Sequence, residues 1–276
     1  MNDNEIKQAV RERYAKVAGT ASSCCGSTED SSWPTKELAT DYSKQMGYSE
    51  AEINSAPEGA NLGLGCGNPV ALASLKEGEV VLDLGSGPGF DCFLAAGRVG
   101  KSGKVIGVDM TPEMLQRARE NKSKGEYENV EFRLGEIENL PVADSSIDVI
   151  ISNCVINLSP QKDRVFLEAY RVLKPGGRLM VSDIVLLEEL PEKIRASIAA
   201  YVGCVAGASK KNDYLNAISS SGFRDVKVVG EISIPEDFSL GEEITKSMIK
   251  DFGVDKSDLQ RLRGAVQSIK VQAFKR

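Results

Sequence analysis

The sequence predicts an α/β fold in which a parallel sheet is covered by helices on both faces. From residue 78 onward, short apolar runs that suit buried strands alternate with stretches of helical period, a pattern typical of strand–helix–strand units. A glycine-rich loop directly after the first run supports this fold, because such loops join a strand to a helix in nucleotide-binding sheets. The predicted strands cover 80–84, 104–108, 130–134, 148–152, 178–182 and 226–229, and the predicted helices cover 89–99, 112–124, 161–173, 192–206 and 211–221.

Two flanking segments differ from this alternating region. The first 70 residues contain one predicted helix, at 5–17, where apolar residues recur at helical spacing, and two loops rich in glycine. The last segment is charged and ends at 269–274 in an alternating run that predicts a strand. We therefore expect three parts, which are 1–70, 71–230 and 231–276.

Composition excludes several classes of function. The net charge of −6 does not favour a nucleic-acid-binding surface, which needs clustered positive charge. The chain lacks a signal peptide pattern and an apolar stretch of roughly 18 residues, so we expect a cytoplasmic protein with reduced thiols. It contains no histidine, which excludes histidine general bases, Ser-His-Asp triads and histidine-bound zinc. Thiols, carboxylates, amides and bound cofactors remain as reactive groups.

The glycine-rich loop favours S-adenosylmethionine over a dinucleotide as its ligand. Asp83 lies two residues before the first glycine, where an acid suits the amino-acid end of S-adenosylmethionine better than a pyrophosphate. The spacing of Gly85, Gly87 and Gly89 lacks the third glycine of the dinucleotide pattern, and Phe90 stands at that position. The loop is therefore predicted to bind a nucleoside with an attached amino acid.

The ends of neighbouring strands supply further candidates. Asp109 and Met110 end the second strand, where an acid is placed to accept hydrogen bonds from ribose hydroxyls. Asn153, after the fourth strand, is a candidate for positioning the donor. Glu136 and Glu138 are candidates for the adenine side, although an exposed loop is an equally good interpretation. The predicted cofactor-binding residues are Asp83, Gly85, Ser86, Gly87, Gly89, Asp109, Met110, Glu136 and Asn153.

The cysteines are spread along the chain, unlike those of a disulfide scaffold. In a cytosolic enzyme such residues bind metals, react or pack in the core. Cys92 fits packing best, because it lies in an apolar helical stretch. Cys154 follows the fourth strand, on the same rim of the sheet as the glycine loop, where packing and function are about equally expected. The six are Cys24, Cys25, Cys66, Cys92, Cys154 and Cys204.

Two further cysteines have surroundings that do not favour packing. Cys204 lies on the predicted helix at 192–206, away from the middle of its apolar stripe. Cys66 is flanked by Gly65 and Gly67, so we expect it in a flexible, accessible loop that closes over a substrate.

At its glycine loop the chain resembles the class I methyltransferases, whose sheet is Rossmann-like. Three more segments resemble, much more narrowly, the arsenite methyltransferases: 61–69 (NLGLGCGNP), 152–158 (SNCVINL) and 201–208 (YVGCVAGA). The resemblance extends to about residue 230 and fades in the tail. The glycine loop is generic, whereas the three cysteine segments together are specific.

The resemblance implies methyl transfer from S-adenosylmethionine to trivalent arsenic held by Cys66, Cys154 and Cys204. It also implies a fourth, redox-active cysteine in the N-terminal loop, for which Cys24 and Cys25 are both candidates. Thioredoxin or glutathione is the implied reductant, and the acceptor is arsenite or a thiol conjugate. We expect residues 231–276 to form a cap on the arsenic site or an accessory segment. No permanent metal, nucleic acid or membrane partner is expected, and we expect a monomer.

The chemistry of arsenic agrees with this assignment. Trivalent arsenic is soft and prefers thiolate sulfur to oxygen. Three thiolates leave its lone pair free to attack an electrophilic methyl group held at about 3–3.5 Å, so orientation does most of the catalysis. The attacking atom needs no general base, in agreement with the missing histidine.

Two alternatives remain open at this point. A methyltransferase for a small organic acceptor would need S-adenosylmethionine but not the three cysteines. A non-catalytic protein that binds a thiophilic metalloid would need the cysteines but not the nucleoside site. A nicotinamide-dependent oxidoreductase is disfavoured by the glycine spacing.

Overall fold

The computed structural model describes residues 2–20, 36–233, 249–250 and 255–276. These residues form one sheet of seven strands with helices on both faces. The strands are β1 (Val80–Leu84), β2 (Lys104–Asp109), β3 (Val130–Leu134), β4 (Ile147–Asn153), β5 (Leu173–Leu186), β6 (Arg224–Ser233) and β7 (Val266–Phe274).

The spatial order of the strands is β3-β2-β1-β4-β5-β7-β6. The first five in this order are parallel to their neighbours. The last strand in the chain, β7, runs antiparallel between β5 and β6. The predicted α/β fold is confirmed, as is a strand near the end of the chain, and the antiparallel β7 makes the sheet mixed.

The helices connect the parallel strands or flank the sheet. In the described residues none of them is both long enough and apolar enough to cross a membrane. A short 3₁₀ turn lies at Ile156–Leu158. The helices are α1 (Asp3–Thr20), α2 (Lys36–Gln45), α3 (Glu50–Ser55), α4 (Pro69–Leu72), α5 (Phe90–Val99), α6 (Pro112–Ser123), α7 (Lys162–Val172), α8 (Glu192–Arg195), α9 (Ile198–Val202), α10 (Lys211–Ser220) and α11 (Lys256–Ala265).

The sheet separates two apolar cores. Leu82 and Val81 are neighbours on β1 and point to opposite faces, as the two-residue period of a strand requires. Phe166 of α7 and Tyr214 of α10 pack on the Leu82 face. Phe93 of α5 packs on the Val81 face. Burial on both faces explains why the inner strands are apolar without alternation.

The prediction of one continuous helix over 192–206 is wrong. The structure has two short helices, α8 and α9, followed by a turn in which the amides of Val205 and Ala206 both donate to the carbonyl of Ala200, at 3.0 Å each. Cys204 has a φ of 63°, which no helix contains. Gly203 beside it lowers the helix propensity. Cys204 therefore lies in a turn.

Candidate active site

The carboxyl ends of β1, β2 and β4 open into one cavity, as ligand sites of open α/β sheets do. Gly85 and Gly87 of the glycine loop line one wall, whereas Gly89, also predicted to bind the cofactor, packs against Phe93 and Phe132 and does not line the cavity. Gly85, Gly87 and Gly89 have φ values of 67°, 51° and 95°, which side chains disfavour. The amides of Gly85 and Ser86 donate to the Val108 carbonyl at 2.8 and 3.0 Å. The loop therefore turns sharply against β2 and leads into α5.

Asp109 holds this loop from the end of β2. Its carboxylate accepts hydrogen bonds from the amides of Gly87 at 2.9 Å and Thr111 at 2.8 Å. Burial raises the pKa of Asp109, while these amides lower it. Met110 lines the same cavity. Ser86 also lines it, but its hydroxyl is buried against Gly107 of β2 and has no hydrogen-bond partner within the described residues.

Two buried carboxyl groups lie at one end of the cavity. Asp83 accepts a hydrogen bond from the Cys92 thiol, with 3.2 Å between Sγ and Oδ2. Burial, and then the charge of Asp91, raise the pKa of Asp83 well above its usual value. Burial also raises the pKa of Asp91 to about 6, and its carboxylate accepts the Tyr48 hydroxyl at 2.6 Å. A bound ammonium group would favour the ionised form of both acids.

Asn153 links this acidic end to the cysteine loop. Its Nδ2 lies 2.9 Å from the Tyr48 hydroxyl, 2.9 Å from the Gly67 carbonyl and 3.1 Å from Oδ2 of Asp91. Its Oδ1 accepts the Cys66 amide at 2.8 Å. The side chain is therefore bonded to protein groups at both ends and orients the loop that carries Cys66.

Cys66, Cys154 and Cys204 lie together in one buried cluster beside the cavity. Their exposed fractions are 4%, 6% and 5%. The sulfurs of Cys66 and Cys154 lie within 4.8 Å of each other. The Cys204 thiol also donates to the Cys154 carbonyl at 3.1 Å. Since Cys154 lines the cavity, the cluster meets the cavity at its central member.

The expectation that Cys66 is accessible is wrong. A Cβ atom on the neighbouring Gly67 would lie 2.5 Å from Oγ of Ser182, so the loop packs tightly on the second half of β5. The Cys66 carbonyl accepts the hydroxyl of Ser268, on β7, at 2.6 Å. The flanking glycine therefore allows close packing rather than motion, and this packing buries the thiol.

The backbone of the other two cysteines is unusual. Cys154 has a φ of 60° and Cys204 a φ of 63°, in the left-handed region. That conformation costs a residue other than glycine about 1–2 kcal/mol. Burial raises the pKa of the Cys66 thiol, and the contacts with Cys204 and Cys66 raise that of Cys154 well above its usual value. The Cys66 and Cys154 thiols are therefore protonated at neutral pH.

A carboxyl group that was not predicted from the sequence lies beside these thiols. The sulfurs of Cys66 and Cys154 and a carboxylate oxygen of Asp183 all lie within 4.8 Å of one another. Asp183, in the second half of β5, accepts hydrogen bonds from Nδ2 of Asn157 at 2.7 Å and the Tyr214 hydroxyl at 3.1 Å. Burial raises its pKa to about 7.

The helix α1 covers the outer side of the cavity. Tyr14 packs against the cysteine cluster, and burial together with the charge of Cys204 raises its pKa well above its usual value. Lys7 pairs with Glu136 at 2.7 Å and with Glu138 at 3.2 Å. Of these two acids Glu138 lines the cavity, whereas Glu136 is not among the lining residues. The structure thus gives Glu136 a partner on α1.

Of the three remaining cysteines, one lies in the described residues. Cys92 is buried within α5, as predicted. Cys24 and Cys25, the candidates for a redox-active cysteine, lie outside the described residues.

Comparison with known proteins identifies the family. Residues 75–222 match a family model described as a methyltransferase domain. The chain is 47% identical over 258 residues to an arsenite methyltransferase of Halobacterium salinarum, a match that covers 89% of this chain and 66% of that protein. It is 38% identical over 253 residues to an arsenite methyltransferase of Aquipseudomonas alcaligenes, which covers 87% of this chain and 68% of that protein. The chain belongs to the arsenite methyltransferase family.

A solved structure of an arsenite methyltransferase supports the same family. The crystal structure of an arsenic(III) S-adenosylmethionine methyltransferase from Chlamydomonas reinhardtii superposes with a TM-score of 0.63 at 34% identity, covering 86% of this chain and 73% of that one. The fold is therefore the Rossmann-like sheet of class I methyltransferases, and S-adenosylmethionine is the methyl donor. The chain spans about two thirds of the length of the two relatives named above.

Some residues of the candidate site were not predicted from the sequence. Asp183 directly follows the predicted strand at 178–182, the same strand-end position that marked Asp109, so the signal was present. The sequence did not mark Tyr48 or Tyr14 as site residues. They lie in helical or loop segments, and a local sequence pattern does not show how such segments pack on the sheet.

Proposed function

We propose that the chain transfers methyl groups from S-adenosylmethionine to trivalent arsenic bound by the thiols of Cys66, Cys154 and Cys204, giving methylated arsenicals. The observation that carries this proposal is the buried cluster of the three cysteines at the cavity. The Cys154 sulfur lies within 4.8 Å of the Cys66 sulfur, and the Cys154 carbonyl accepts the Cys204 thiol at 3.1 Å. Arsenic prefers such sulfur ligands, and three of them leave its lone pair free.

The methyl donor would occupy the cavity at the ends of β1 and β2. Its ammonium group would lie near Asp83, where a positive charge favours the ionised carboxyl. Asp109 would accept from the ribose and already shapes the loop through the Gly87 amide. Glu136 stays a prediction for the adenine side, and Glu138 is the nearer acid to the cavity. The proposed binding residues are Asp83, Gly85, Ser86, Gly87, Gly89, Asp109, Met110, Glu136 and Asn153.

The chain contributes mainly orientation to the reaction. When bound, S-adenosylmethionine supplies an electrophilic methyl group on a sulfonium. Cys154, between the other two cysteines, would fix arsenic at the cavity wall, and Asn153 holds Cys66 through its amide. Burial of all three thiols excludes water from the arsenic. No proton has to leave the attacking atom, so no histidine is required.

The partners follow from the same chemistry. Arsenite or a thiol conjugate would deliver arsenic, because either can exchange its ligands for cysteine sulfur. Thioredoxin or glutathione would regenerate thiols after arsenic has been oxidised by methylation, and Cys24 or Cys25 would take part in that redox step. We propose a monomer with no permanent metal, and residues 231–276 as a cap on the arsenic site or an accessory segment.

The proposal is tested with purified protein, As(III), labelled S-adenosylmethionine and glutathione. Methylated arsenic is expected, and Cys154→Ser is expected to lower its formation at least about 10³-fold, since a hydroxyl does not replace a thiolate ligand of a soft atom. Cys66→Ser and Cys204→Ser should act in the same direction. The matched control is Cys92→Ser, which keeps a hydrogen-bond donor for Asp83 and should remain active. Full activity of Cys154→Ser would overturn the proposal.

The same assay separates the two alternatives. A methyltransferase of a small organic acceptor would produce no labelled arsenic. The buried thiol cluster would then have no role in its reaction. A binding protein without turnover would retain As(III) and leave the donor unchanged.

A further inference from the structure

One carboxyl group beside the thiols has no part in the proposed ligand set. Asp183 is 1% exposed, and its carboxylate oxygen and the sulfurs of Cys66 and Cys154 lie within 4.8 Å of one another. Three donors fix its position: Nδ2 of Asn157 at 2.7 Å, the Ile184 amide at 3.0 Å and the Tyr214 hydroxyl at 3.1 Å. A rigid, buried carboxyl group therefore faces the place where arsenic would bind.

We propose that the Asp183 carboxylate stabilises the positive charge that arrives on arsenic during methyl transfer. This inference rests on the proposed function. In the step, the arsenic lone pair forms the As–C bond, the C–S bond of the sulfonium breaks, and its electron pair stays on sulfur. The three As–S bonds remain and no proton moves. The positive charge therefore passes from the donor sulfur to arsenic.

The sign of the interaction changes during the reaction. Before arsenic binds, the charge of Asp183 raises the pKa of the Cys66 thiol, so the carboxylate opposes thiolate formation. Arsenic bound to three thiolates is neutral, and the carboxylate then neither repels nor attracts a net charge. The attraction strengthens as the positive charge moves from the donor sulfur to arsenic, beside the carboxylate. A fixed charge that acts mainly at that moment lowers the barrier, because water is absent and the electrostatic interaction is strong.

Burial raises the pKa of Asp183 to about 7, and several contacts act against this effect. The positive charge of Lys162 and the hydrogen bond from Tyr214 both lower its pKa against the effect of burial. Lys162 itself is held by the Ser159 carbonyl, at 3.1 Å, and belongs to the start of α7. These groups partly offset the cost of burying the charged form, and a positive charge on arsenic would favour that form further.

The test is Asp183→Asn in the full chain. Asparagine keeps an oxygen for Asn157 and Ile184, and its amide can donate to the Tyr214 hydroxyl. The enzyme is loaded with one equivalent of As(III), mixed with S-adenosylmethionine, and methylated arsenic is measured in a single turnover. We expect transfer to slow about 10- to 100-fold. As(III) binding, measured separately by calorimetry, should be equal or tighter, because the charge that opposes thiolate formation is gone.

Opposite changes in binding and transfer distinguish this role from a structural one. A side chain that only supports the fold would, when changed, weaken arsenic binding and slow transfer together, and that result would overturn the inference. Transfer at the wild-type rate would also overturn it. Asp183→Ser provides the same comparison if the asparagine variant does not fold. If the wild type itself forms no methylated arsenic, the proposed function fails, and this inference fails with it.

Discussion

The donor side and the thiol side of the cavity are built in different ways. On the donor side, Asp83, the glycine loop and Asp109 come from one short stretch of chain that includes β1, α5 and β2. On the thiol side, the cysteines come from three distant loops, and Asp183 comes from β5. A local motif therefore encodes the first region, whereas the second exists only when the sheet is assembled.

The two regions also use positive φ angles differently. The donor loop places glycine at these positions, where glycine has no steric cost. The thiol side places Cys154 and Cys204 there, although each has a conformational cost. Glycine cannot supply a sulfur ligand, so cysteine occupies these positions despite the backbone strain. Strained backbone of this kind is common at functional sites.

The first substitution should weaken binding of the methyl donor without changing binding of arsenic. Asp83→Asn removes the charge that we assign to the ammonium group of the donor. S-adenosylmethionine should bind about 10- to 100-fold more weakly, because a hydrogen bond to a charged group contributes roughly 1.5–3 kcal/mol. Arsenic binding should stay unchanged. Calorimetry with each ligand checks both, and an equal loss for arsenic would show that the two sides are not independent.

A smaller effect is expected where the two sides meet. A Cβ atom on Gly65 would lie 2.8 Å from Cγ of Asn153, whose amide is held by several hydrogen bonds and cannot move away freely. Gly65→Ala should lower the free energy of unfolding by about 1–3 kcal/mol, as overpacking does. It should also weaken As(III) binding, since Asn153 holds Cys66.

The matched control for Gly65→Ala is a glycine with free space around it. Gly97 lies in α5, and a Cβ atom added there would have no neighbouring atom within 4 Å among the described residues. Gly97→Ala should raise the free energy of unfolding by about 0.5–1 kcal/mol, because alanine favours a helix. Urea unfolding of the three proteins checks the order, and equal effects at the two glycines would contradict the packing argument.

Much of the donor side could be predicted from the sequence. The strands at 80–84 and 130–134 were predicted with their observed limits, because buried parallel strands form short apolar runs bounded by turns. The glycine loop directly follows the first of these strands, and Asp109 ends β2. Local pattern was sufficient there, because the motif and the site are the same stretch of chain.

On the thiol side, the sequence identified the cysteines as candidates but did not predict their burial or backbone conformation. The segments around Cys66 and Cys204 marked these cysteines, yet Cys66 was expected to be exposed and Cys204 to lie on a helix. Burial of Cys66 depends on the packing of Gly67 against Ser182, more than a hundred positions away in the chain. The turn at Cys204 depends on hydrogen bonds to Ala200 that compete with the helix. Neither contact can be predicted from the local helix or loop propensity of the sequence.

The smallest expected effect tests the strain at the central thiol. Cys154→Gly and Cys154→Ala both remove the sulfur and should both lose arsenic methylation. At a φ of 60° glycine is free of the cost that alanine bears, so the glycine variant should be the more stable by about 1 kcal/mol. Cys92, inside α5, provides the reverse control, because there alanine should be more stable than glycine by about 1 kcal/mol. Thermal unfolding of the four variants measures both differences. If alanine is the more stable at both positions, the left-handed backbone of Cys154 stores no strain, and the contrast between the two sides of the cavity rests on their chemistry alone.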